Sequence, residues 1–154
     1  MKNSLVTLLL AVAMTAASYA ATPQPAAPVA AAAFPAPIDI CEGLSDGLSN
    51  EVDAETFDVT SLDDSVKVYN QQLSFFKKDC KNSPTRFFFG TMLETWQAWI
   101  AHKKGDLWQD SLNKAIQNLE QCITHYYGQP KGAACQTIQD KAIKWKTDWE
   151  AAGP

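Results

Sequence analysis

Residues 62–80 read LDDSVKVYNQQLSFFKKDC. Leu62, Val66, Tyr69, Leu73, Phe76 and Cys80 step by 4, 3, 4, 3 and 4 residues, one apolar stripe along a helix face. Asp63 and Asp64 fall in the first turn and Lys77 and Lys78 in the last, the order the helix dipole favours. Ser61 supplies a side-chain acceptor for the N-cap. The stretch is a helix, and the same period recurs through the rest of the chain.

Downstream, Ser83-Pro84 predicts a second helix start, with Ser83 as cap and Pro84 in the first turn. This helix carries Phe87, Phe88, Phe89, Met92, Leu93, Trp96, Trp99 and Ile100 and is expected to end near His102. So wide an apolar face suits a central helix with more than one neighbour. Gly105-Asp106 makes the next turn, and Asp106 with Gln109 resembles a capping box. Leu112, Ile116, Leu119, Ile123 and Tyr126 form the third stripe. After Gly132 a fourth stripe runs through Cys135, Ile138, Ala142, Trp145 and Trp149, with Lys141, Lys144 and Lys146 on another face. Beyond residue 62 no window alternates with period two, and no repeat of about 34 residues is visible. The expected fold is all-α: a four-helix up-down bundle or stacked helical hairpins over residues 62–154.

Upstream, residues 38–61 read as an acidic arm. Nine acids and no Lys or Arg lie between Ile38 and Val66, whereas residues 67–154 hold twelve basic residues and eight acids. Leu44 and Leu48, four apart, allow a short helical turn within the arm. The arm either lies against the basic helices or presents Glu42, Asp46, Glu51, Asp53, Glu55 and Asp58 to a cationic partner, whose approach the charge would accelerate. Asp53, Glu55 and Asp58 lack the glycine and terminal glutamate of a calcium loop.

Residues 21–37, ATPQPAAPVAAAAFPAP, hold five prolines that break any alanine helix and read as an extended tether. Residues 1–20 have the parts of a secretory signal: Lys2, the apolar run from Leu5 to Met14, and small residues at Ser18 and Ala20. Ala21 rather than cysteine comes next, so a lipoprotein anchor is not expected; nor is any stable membrane anchor. Periplasmic or secreted residence is expected.

Four cysteines in an exported chain read first as two disulfides. Cys122 and Cys135 flank the turn between the last two helices and would meet in an antiparallel pair, leaving Cys41 for Cys80. No CxxC or CxxCH motif is present, so redox, zinc-ribbon and haem readings have no support.

The chain's formal charge of −4 argues against a nucleic-acid partner, and seven glycines among 154 residues argue against a glycine-rich phosphate loop. His102 and His125 each lie near a predicted helix end, where the dipole favours imidazolium. Neither belongs to an HExxH pair, no GxSxG elbow occurs, and nothing singles out Glu94 or Glu120 as half of a catalytic carboxylate pair. No metal or cofactor is expected. The leading expectation is a non-catalytic exported protein that binds an envelope or secreted protein, of inhibitor, immunity or adaptor type. A second is a carrier holding an apolar small molecule against Trp96, Trp99 and Trp145. A third is an envelope hydrolase with an unmarked site.

Overall fold

The computed structural model describes residues 39–57 and 61–153; the expected signal and tether lie outside them, as does Asp58. Five helices run in order: α1 (Ile40–Ala54), α2 (Leu62–Asp79), α3 (Arg86–Lys104), α4 (Gln109–His125) and α5 (Pro130–Ala152). The described residues are all-helical, with five helices where the sequence predicts four over residues 62–154. The additional one is α1, formed by the segment read as an acidic arm.

Two features make α1 a helix. Asp39 caps it, one carboxylate oxygen accepting from the Cys41 N–H at 3.0 Å and the other from the Ser83 hydroxyl at 2.7 Å. A full inward stripe comes next in Cys41, Ser45, Leu48, Ser49 and Val52. Its two serines hide the pattern from a hydrophobic count, and Ser45 meets its own hydrogen-bonding need by donating to the Glu42 carbonyl at 2.8 Å. Glu55 then ends the helix at φ 56°, and Phe57 lies at φ 43°, a region that non-glycine residues rarely occupy. The ring of Phe57 offsets that strain. It is fully buried, parallel to Trp96 at 5.4 Å and tilted against Trp99 at 4.4 Å.

α3 is central. It packs most extensively on α4, then on α1 and α2, with a smaller contact to α5. The Cys41–Cys80 disulfide joins the start of α1 to the residue that ends α2. Lys131 meets Glu42 and Lys141 meets Glu55, so α1 runs parallel to α5 and is seated against both α3 and α5. On the other flank of α3, Trp96 donates to the Ser65 hydroxyl at 3.1 Å and Tyr69 to Gln97 at 3.3 Å, which fixes the register of α2.

Three helix starts differ from expectation for identifiable reasons. Ser83 does not cap α3, because its hydroxyl is committed to Asp39 and to the Thr85 N–H; α3 begins three residues later, with Thr85 at the cap. Asp106 does not cap α4. Its N–H bonds the Ala101 carbonyl and the Gly105 N–H that of His102, a Schellman-type ending of α3 with Gly105 at φ 75°. α5 starts at Pro130, not after Gly132.

Gly132 therefore lies inside α5, where the α4–α5 hairpin is tightest beside the Cys122–Cys135 disulfide. A Cβ at this position would lie 2.3 Å from the Tyr126 carbonyl oxygen and 2.9 Å from its carbon. Backbone cannot swing aside as a side-chain tip can. Gly132→Ala is expected to lower the unfolding free energy by about 1–3 kcal/mol in urea titration. A loss below about 0.5 kcal/mol would show that this turn yields freely.

Candidate functional site

The six acids expected to meet a partner are on or just after α1, apart from Asp58. Glu42 and Asp46 face Lys131, at 2.9 and 3.8 Å, and Asp53 and Glu55 face Lys141, at 3.9 and 3.6 Å. Burial pulls the Lys131 ammonium down, but its hydrogen bond to Glu42 and the charges of Asp46 and Glu42 outweigh this and hold its pKa above the ordinary value. Glu51, on the same helix, is half-buried. Four of the arm's acids thus share two lysines of α5, which offset half of the charge of those four.

The three tryptophans expected to form a ligand wall separate. Trp96 is wholly inside the core, with its indole N–H satisfied by Ser65. Trp99 and Trp145 do line one open cleft of about 530 Å³, together with Trp149, Lys103 and Lys144. The ring surfaces there are largely occupied. Trp149 stacks on His102 at 3.8 Å and on Trp145 at 5.3 Å, and Trp108 meets it edge-on at 5.2 Å. Trp145 donates to Glu55 at 2.7 Å. What remains exposed at the rim is charged: Lys103 lies 5.4 Å from the Trp99 ring, and Lys144 pairs with Asp148.

His102 differs from the dipole-based expectation. Burial against the indoles lowers its pKa, and the neighbouring Lys103 adds to the shift. Its Nδ1 is buried with no hydrogen-bond partner, an arrangement that suits neutral imidazole. A histidine whose folded pKa is depressed contributes stability above its unfolded pKa and loses it as pH falls through the folded value. The urea midpoint is therefore expected to drop as pH falls below about 6.5, the reference value for free histidine. His102→Phe, which keeps the stack, should show a shallower drop; equal slopes would show that His102 contributes nothing.

A second concavity was not anticipated. α2 and α4 both pack on α3 but make no extensive contact with each other, and between them runs a groove of about 560 Å³. Phe76, Phe87, Gly90 and Thr91 form its apolar floor, with Arg86, Glu94, Lys114 and Asn118 at its edges. Gly90 shapes the floor: a Cβ there would lie 3.1 Å from the tip of the Phe76 ring, so glycine lets that ring settle onto α3. Glu94 is neutralised, at 3.0 Å from the Lys114 ammonium and hydrogen-bonded by the Asn118 amide. Its charge, after burial, also helps raise the pKa of the Tyr69 phenol. Arg86 holds its guanidinium 4.8 Å from the Phe76 ring centre and takes part in no ion pair among the described residues.

Two signals for this groove are in the sequence. Arg86 is the only arginine of the chain, and Gly90 stands inside the helix directly after three phenylalanines. A helix interior that accepts glycine in place of alanine, at about 1 kcal/mol, does so for close packing or for access. Among the described residues no group of three or more His, Cys, Asp or Glu side chains is placed to hold a metal ion. The two disulfides indicate an oxidising, exported environment, and no described helix is long and apolar enough to cross a membrane. The chain matches no family model, curated protein or solved structure.

Proposed function

We propose that this is a non-catalytic binding protein of the periplasm or the cell exterior, acting by holding part of another protein, as an inhibitor, immunity protein or adaptor does. The observation that carries the reading is the open α2–α4 groove, which leaves one side of the otherwise surrounded α3 without a neighbour. Its floor is apolar and aromatic, and an arginine stands at its edge, the composition of an interface centre. The groove is a better contact surface than the α1 acids, because four of those acids are already paired with lysines of α5.

The test is a photo-crosslinking residue in place of Lys114, an exposed side chain at the groove edge, in the full chain made by its own producing cells. A protein adduct formed there, and absent when the same residue replaces exposed Asn50 on α1, is the expected result. Equal adducts at both positions, or none at Lys114, would overturn it.

The carrier reading keeps one specific observation, the convergence of Trp99 and Trp145 on a single cleft. Native mass spectrometry of the purified protein decides it. A small molecule of fixed mass that is lost in Trp99→Ala would favour the carrier over the protein-binding reading.

A further inference from the structure

Resting on that protein-binding reading, we infer that the α2–α4 groove takes an acidic amphipathic helix from another protein, of two to three turns, with a carboxylate meeting Arg86.

The form of the occupant is set by the groove's walls. Most of the lining belongs to α2, α3 and α4, whose mid-helix N–H and C=O groups are bonded within their own turns, and Ser83 and Pro84 of the turn before α3 close one end. The helices offer side chains and no free backbone edge of the kind that recruits a strand. A segment entering there must satisfy its own backbone, and a helix does so. From Arg86 to Glu94 the groove, edge to edge, runs eight residues along α3, about 12 Å at the helical rise. That accommodates apolar anchors at i, i+3 or i+4, and i+7 of the incoming helix.

Its charge is set by the rim. Glu94 is held by Lys114 and Asn118, so the one acid of the groove is already matched. Arg86 is not matched: its guanidinium lies against Phe76 and has no carboxylate partner among the described residues. Lys77, Lys78 and Lys81 are exposed at the same end of the bundle. An arginine already laid on an aromatic ring has little left to order when a carboxylate arrives, and the pair can be bidentate. A basic occupant would meet repulsion from Arg86 and from these three lysines, which outnumber Asp79, the exposed acid among them.

The test pans a displayed library of helical peptides of about 12 residues against the mature, disulfide-bonded chain. Affinities of the enriched peptides are then measured by fluorescence anisotropy. The expected consensus has apolar residues at helical spacing and Asp or Glu beside them. Arg86→Glu should weaken binding by about tenfold or more, with Arg86→Lys intermediate, and Gly90→Leu should abolish it by filling the floor. Gly90→Leu presses on Phe76 and its folding is checked by circular dichroism; Arg86 is exposed, so its substitution keeps the test decisive if the leucine variant unfolds. Peptides indifferent to both substitutions would overturn the groove assignment while leaving protein binding intact; failure to enrich any peptide would overturn the helix as occupant, and the crosslink at Lys114 separately decides protein binding. A basic consensus would overturn the charge assignment. Arg86-dependent self-association in sedimentation, or Arg86-dependent binding to phosphatidylglycerol vesicles in place of peptides, would replace the partner helix with a second copy or a lipid surface.

Discussion

Replacing Trp96 with alanine is expected to lower the free energy of unfolding by about 3–5 kcal/mol, the range for removing a large buried aromatic. Trp96 is fully buried, parallel to Phe57 and edge-on to Tyr69 at 5.5 Å, so the indole joins the segment after α1 to both α2 and α3. Its loss also leaves the buried Ser65 hydroxyl without its donor. The two contributions can be separated. Trp96→Phe keeps most of the volume and strands Ser65, at about 1–3 kcal/mol, and adding Ser65→Ala should recover part of that loss. Urea unfolding of the four proteins of the cycle reads the coupling directly. A cost below about 1 kcal/mol for Trp96→Ala would mean that this indole does not organise the core.

Loss of the Cys41–Cys80 disulfide is expected to have a similar effect. It closes a loop of 39 residues, which the chain-entropy relation values at about 4 kcal/mol. The 13-residue Cys122–Cys135 loop comes to about 3 kcal/mol. The double variant Cys41→Ala/Cys80→Ala should therefore lose more stability than Cys122→Ala/Cys135→Ala. The reverse order would show that the α4–α5 bond holds more than its own turn. Both pairs are buried, so mild reductant should leave them intact until the fold opens. Thiol titration with and without urea checks this.

The helices beyond residue 62 were legible because each repeats an apolar residue at helical spacing, as Leu62, Val66 and Tyr69 begin to do. The disulfide pairing was legible from the α4–α5 turn together with elimination. Helix α1 was not, because Ser45 and Ser49 occupy inward positions of its buried stripe, and acids crowd the sequence around them. Capping proved harder to read than period. Ser83 has the right chemistry for a cap, yet it is drawn 44 residues back along the chain to Asp39. Of the three candidate tryptophans, Trp99 and Trp145 share one cleft and Trp96 lies in the core, a difference that spacing does not reveal because it cannot say which indole of a crowded helix faces inward. The α2–α4 groove is not legible in the sequence for a related reason. It consists of a space between helices, and a pattern along one helix does not reveal where two others fail to meet.

The seat of α1 against α3 and α5 has a consequence for the order of events during synthesis. The ribosome delivers α1 first and α5 last, but α5 supplies Lys131, Lys141 and Trp145 to hold α1 in place. Until α5 emerges, α1 has only the α3 side of its berth, and the face that α5 covers stays open. Maturation of this domain is thus post-translational by construction, and a nascent chain halted before residue 130 would leave α1 open to proteolysis.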